Sequence, residues 1–169
     1  MSNLNNLIHN APKNMSERDR INAIWDLAYK QGKKYENILL NYLSYDTMEY
    51  SEEGCKEWDI QTTKNGIDLY YEVKSDNISY KSGNLCVEYS HKGQPSGINV
   101  CTADYWCNFT IINDKEHILY IIPLFELKQL IIDKKKYIKD IKGGTNRNSS
   151  LYLISLSLLE KYKVVEKQE

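Results

Sequence analysis

Cys55-Lys-Glu-Trp-Asp-Ile-Gln-Thr-Thr-Lys-Asn-Gly-Ile-Asp-Leu-Tyr-Tyr-Glu-Val-Lys-Ser75 reads as two short strands joined at Asn65-Gly66. Asn-Gly is the preferred pair for a two-residue type I′ turn, because both of its positions need positive φ. With that loop Lys64 faces Ile67, and Asp59 lies opposite Glu72. Lys74 falls two residues further along the same face. Two carboxylates with Cβ atoms about 5 Å apart repel each other. A divalent cation between them turns that repulsion into a binding site. The reading depends on register, since a one-residue slip puts Asp59 on the face away from Glu72.

The rest of the chain gives this hairpin a setting. Its 169 residues fit one domain. Residues 1–15 are expected to be a flexible N-terminal segment, and residues 16–169 a single domain. A hydrophobic content of 41% suffices for a packed core, and a net charge of −1 excludes a uniformly basic nucleic-acid coat while leaving room for a local basic groove. No run of 18 apolar residues occurs, so no membrane span is expected. The opening Met-Ser-Asn-Leu-Asn-Asn lacks a signal-peptide pattern, so a cytoplasmic location is expected, with Cys55, Cys86, Cys101 and Cys107 as reduced thiols. His91, Cys101 and Cys107 do not have the spacing of a zinc site.

Ser16 is a candidate N-cap for a helix carrying Ile21, Ile24, Trp25 and Ala28 at helical spacing. Gly32 is expected to end or bend it, with a second helix over about 33–44. The hairpin strands are expected over about 56–63 and 67–74, and a third strand over 84–89. Residues 91–97 read as a loop, and Thr102 as the cap of a short helical turn through Trp106. Two more strands are expected over 109–113 and 117–122, and a helix from Pro123 to about Ile132. A polar connection follows, then a strand or helix start over 151–156 and a terminal helix over 158–169. This order predicts a mixed α+β (α/β) domain, with a central mixed sheet of about five strands flanked by helices.

Asp59, Glu72 and Lys74 on one strand face suit metal-assisted phosphodiester hydrolysis. Asp59, Glu72 and the Val73 carbonyl would offer hard oxygen ligands to Mg²⁺, with Mn²⁺ as a substitute. Lys74 would position the attacking water or neutralise charge on the phosphorus. An aspartate followed across a hairpin by Glu72-Val73-Lys74 resembles the PD-(D/E)XK nuclease superfamily. Gly32-Lys-Lys-Tyr-Glu36 is similar to that superfamily's helical Gly-x-x-aromatic-Glu element. Trp58 stands where the signature has proline. The resemblance covers roughly residues 32–89. It implies a restriction-endonuclease-like fold, with Asp59, Glu72 and Lys74 as catalytic residues, Glu36 as an auxiliary one, and Mg²⁺ as cofactor.

Around this core, Glu88 on the third strand is a candidate auxiliary group, either a metal ligand or a partner for a lysine. Lys92, Ser96 and Gly97 are candidate phosphate contacts, although a plain connecting loop fits them equally. Tyr105 and Trp106 fit base stacking less well than core packing. The expected function is a Mg²⁺-dependent endonuclease cutting DNA, branched or single-stranded forms included, by metal-activated water attack. A homodimer is one way such a compact restriction-like or junction-resolving enzyme would cut two strands. The alternative is a catalytically inactive nucleic-acid-binding or regulatory domain that keeps the nuclease fold. A plainer explanation is a solvated sheet face on which Glu57 and Lys74 form a cross-strand ion pair.

Overall fold

The computed structural model describes residues 16–143 and 147–164; the expected N-terminal segment lies outside them. In chain order the main elements are α1 (Glu17–Leu40), β1 (Thr47–Tyr50), β2 (Ile60–Lys64), β3 (Ile67–Asp76), α2 (Ser79–Ser82), β4 (Asn84–His91) and β5 (Gln94–Pro95). There follow β6 (Tyr105–Ile111), β7 (His117–Pro123), α3 (Leu124–Asp133), β8 (Lys139–Gly143), β9 (Ser149–Ser155) and β10 (Lys163–Val164). The fold is mixed α+β, as the order of elements predicts. It has two sheets rather than one: a six-stranded sheet in the order β1-β2-β3-β6-β7-β10 and a four-stranded sheet in the order β5-β4-β9-β8. No helix among the described residues is long and apolar enough to cross a membrane.

Ser16 caps α1 as expected: its Oγ accepts from the Asp19 N–H at 3.1 Å and donates to the Asp19 carboxylate at 2.6 Å. Gly32 does not break the helix. An interior glycine costs about 1 kcal/mol against alanine. Burying Tyr35 and Leu39, each contributing about 1.5–3 kcal/mol, outweighs it. Only that last stretch is docked. Ile21 and Trp25 are 46% and 70% exposed, so the apolar periodicity marks a helix whose first half meets no core among the described residues.

The hairpin register is the expected one. Asn65 and Gly66 have φ of 52° and 76°, and the ladder pairs Lys64 with Ile67 and Ile60 with Tyr71. β2 starts at Ile60, later than expected, because the preceding chain leaves to form β1, which pairs with the other edge of β2. β3 then pairs in parallel with β6, Glu72 beside Trp106 and Lys74 beside Asn108. Parallel neighbours need a long crossover. Residues 77–104 supply it and build β4 and β5 on the way, which lays the second sheet over one face of the first.

Alternate residues of β3, β6 and β7 therefore serve two cores. One face packs Ile60, Tyr71, Val73, Cys107, Phe109 and Leu119 against Tyr35 and Leu39 of α1. The other packs Trp106, Tyr120 and Ile122 against Leu85, Val87 and Ile154 of the second sheet and Leu127 of α3. β6 is buried on both faces, as a central strand should be.

Other expectations are corrected by the same packing. Thr102 does not cap a helical turn: Trp106 lies in β6, and the helical turn comes earlier, at Gly97–Asn99. Residues 91–97 include a second hairpin, with His91 paired to Gln94 across Lys92-Gly93. The expected terminal helix is instead two 3₁₀ turns, Leu156–Leu158 and Glu160–Tyr162, and then β10 on the free edge of β7; residues 165–169 are outside the described range.

Candidate active site

β3 delivers Glu72, Val73 and Lys74 between the two packed faces, where α1 approaches on one side and the second sheet on the other. Asp59 stands one residue ahead of β2. Its backbone N–H donates to the Tyr71 carbonyl at 2.8 Å, and its Oδ2 accepts from the Val73 N–H at 2.7 Å. The aspartate is thereby fixed beside Val73, but not as a ladder partner of Glu72: the β2–β3 pairing stops at Ile60 and Tyr71, and Asp59 and Glu72 are linked instead through the Lys74 ammonium.

Lys74 ties the group together. Its ammonium pairs with the Glu72 carboxylate, lies 3.6 Å from Asp59 Oδ2 and donates to the Val73 carbonyl at 3.3 Å. It also sits over the Trp106 ring, 5.7 Å from the centroid. Glu57 does not pair with Lys74, because it lies in the β1–β2 connection, ahead of the β2–β3 ladder; its carboxylate accepts from the Cys55 thiol at 3.5 Å. Nor is this a solvated sheet face: Glu72 is only 6% exposed.

Glu36 arrives from α1, 7% exposed, and accepts from Lys33 Nζ at 2.7 Å. Lys33 in turn lies over the Tyr50 ring at 4.8 Å. Burial pushes the Glu36 carboxyl above its ordinary range, against the hydrogen bond and charge of Lys33, and the Asp59 charge adds to the push. Burial likewise raises Glu72; Lys74 opposes that shift, while Asp59 and Glu36 reinforce it. Burial works against the Lys74 ammonium, yet the Glu72 and Asp59 carboxylates hold its pKa above the usual lysine value. Three carboxylates, those of Glu36, Asp59 and Glu72, thus pair with the Lys33 and Lys74 ammonium groups.

Two clefts meet here. The wider, of about 730 Å³, is lined by Glu72, Lys74, Trp106 and Asn108 on one side and by Glu88, Lys92, Ser96 and Gly97 on the other. The narrower, of about 360 Å³, is lined by Gly32, Glu36 and Asp59. Lys74 and Ser75 border both. Glu88 does not join the acidic cluster; its carboxylate accepts from Ser96 Oγ at 2.7 Å on the second sheet's wall. Lys92, with φ of 49°, stands at the tip of the β4–β5 hairpin, and Gly97 packs against the Glu88 backbone. His91 is engaged with Ser149 Oγ, 3.0 Å from its Nδ1. Trp106 is core and Tyr105 stacks on Tyr71, so neither is presented as a base-stacking platform.

Lys33 and Asn108 escaped the sequence reading. Lys33 had a signal, its i,i+3 spacing to Glu36. Asn108 had none, since its place beside Lys74 follows from the parallel β3–β6 pairing.

Around the Lys74 ammonium, two carboxylates and one carbonyl already converge on a positive charge, and hard oxygens of that kind suit Mg²⁺ or Mn²⁺. Among the described residues no group of three or more His, Cys, Asp or Glu side chains forms a cage, so an ion here would need the Val73 carbonyl and water to complete its shell. Comparison of the chain with protein-family models, with curated proteins and with solved structures finds no match in any of the three.

Proposed function

We propose that the chain is a divalent-metal-dependent endonuclease of restriction-endonuclease-like type, cutting DNA by attack of an activated water at phosphorus. The observation that carries this reading is the convergence of Asp59, Glu72 and the Val73 carbonyl on one cation, at the meeting point of two clefts. Those three groups would hold the metal. Bound there, it would supply an acidified water and offset charge on the phosphate. Lys74, beside those donors, would act as a positive charge toward the phosphoryl oxygens. Glu36 adds negative charge from the α1 side. Lys92 and Ser96 give the wide cleft a polar wall for the nucleic-acid backbone.

The test is incubation of purified protein with plasmid, single-stranded and branched DNA in Mg²⁺, Mn²⁺ or EDTA. Cleavage should require the metal and be lost in Asp59→Ala and Lys74→Ala. Absence of metal-dependent cleavage, or variants that cut as well as wild type, would sink the reading. Binding without cleavage would favour a non-catalytic nucleic-acid-binding domain.

A further inference from the structure

We propose that the Lys74 ammonium is the resident cation of this site, and that a divalent ion binds only by displacing it toward the wide cleft. The inference rests on the metal-site reading above and adds to it an exchange between two cations. The same ammonium touches all three donors assigned to the metal: the Glu72 carboxylate, Asp59 Oδ2 at 3.6 Å and the Val73 carbonyl at 3.3 Å. A divalent ion on those oxygens would lie within a few ångströms of Nζ, and like charges that close in a partly buried site repel strongly. The lysine has somewhere to go. Its side chain is 41% exposed and borders the cleft of about 730 Å³.

Glu72 explains why such a placeholder is needed. At 6% exposure its charge is tolerated only with a cation beside it. In the metal-free protein Lys74 is that cation, and with metal bound the ion takes over. Displacement then presents the ammonium to the cleft in which the phosphodiester backbone would lie. Substrate-side charge would thus appear only once the metal is in place. A metal site without this exchange would leave Lys74 where it is, so that its ammonium would be no more accessible with metal bound than without.

The experiment compares wild type with Lys74→Met, which keeps the chain length and removes the charge. Mn²⁺ and Ca²⁺ are titrated by calorimetry, and melting temperature is followed with and without them, nucleic acid being absent throughout. Lys74→Met should melt lower than wild type in EDTA, gain more from Mn²⁺, and bind it at least tenfold more tightly. Equal or weaker binding than wild type overturns the exchange while leaving the metal site intact. No binding to either protein overturns both. Wild type supplies an independent readout if the variant does not fold. Mild acetylation read by mass spectrometry should modify Lys74 faster in saturating Ca²⁺ than in EDTA. An unchanged or slower rate with Ca²⁺ bound overturns the proposal.

Discussion

Gly97→Ala probes how tightly the second sheet's wall of the wide cleft is built. Gly97 has φ of +50°, and a Cβ placed there would lie 2.2 Å from the Glu88 carbonyl oxygen and 2.9 Å from its carbon. The left-handed backbone costs alanine about 1–2 kcal/mol. The clash is with backbone, so no side chain can swing aside, and overpacking of this kind costs about 1–3 kcal/mol more. The total of about 2–5 kcal/mol is large against ordinary domain stability. Gly93→Ala is the matched control: φ is +78°, but nothing lies within 4 Å of the added Cβ. It should lose only the conformational part. Urea unfolding followed by tryptophan fluorescence, with unchanged slope, gives both numbers. If Gly97→Ala is no less stable than Gly93→Ala, the close approach of Gly97 to β4 is wrong, and with it the seat of Ser96 against Glu88.

Two further outcomes follow from burial. Leu39→Ala removes a fully buried side chain and should cost about 2–5 kcal/mol, whereas Trp25→Ala, on the same helix but 70% exposed, should stay within about 0.5 kcal/mol by urea melts; equal losses would mean that the first half of α1 is packed after all. At pH 8 a thiol reagent should label Cys55 and Cys86 before Cys101 and Cys107, which are buried. Burial pushes the Cys101 thiol from 9.0 up to about 11, with the Glu72 charge adding to it. The folded protein holds that proton longer than the unfolded chain, so the Cys101 contribution is intact below pH 9 and erodes as pH rises toward 11. A Cys101→Ala variant should therefore lose less stability than wild type between those pH values, measured by urea melts in glycine buffer.

What the sequence made legible is local. Asn65-Gly66 sets the turn, and the turn sets a register that holds as far as Ile60 and Tyr71, one position short of the expected Asp59–Glu72 pair. Elements with weak or non-local signals were hidden. β1 is a short, mostly exposed edge strand and carries little alternation. β9 reads from sequence as either a strand or a helix start, and its pairing with β4, far earlier in the chain, decides for the strand. Ile21 and Trp25 follow helical periodicity faithfully, yet periodicity does not say whether a partner surface exists. The partner of Lys74 was lost for a similar reason. Extending the ladder past Ile60 would have given it Glu57, but the chain leaves for β1, and the ammonium turns instead to Glu72 on its own strand.

That difference bears on what the cluster is for. Had Lys74 met Glu57 on an exposed face, the pair would be worth under about 1 kcal/mol and call for no further explanation. Instead, Glu36 and Glu72 are both nearly buried, the Asp59 charge acts on each, and Lys33 and Lys74 are their ion-pair partners. Buried acids are a poor route to stability, since apolar residues of the same volume would usually serve as well or better. Nor does the fold need them there: Ile60, Tyr71, Val73 and Phe109 already pack the α1 face without help from charge. A concentration of buried charge at the junction of two clefts, on a strand whose other residues obey the packing rules, supports the proposed binding function. In the reading proposed above, the Asp59 and Glu72 carboxylates and the Val73 carbonyl would take a hard cation there.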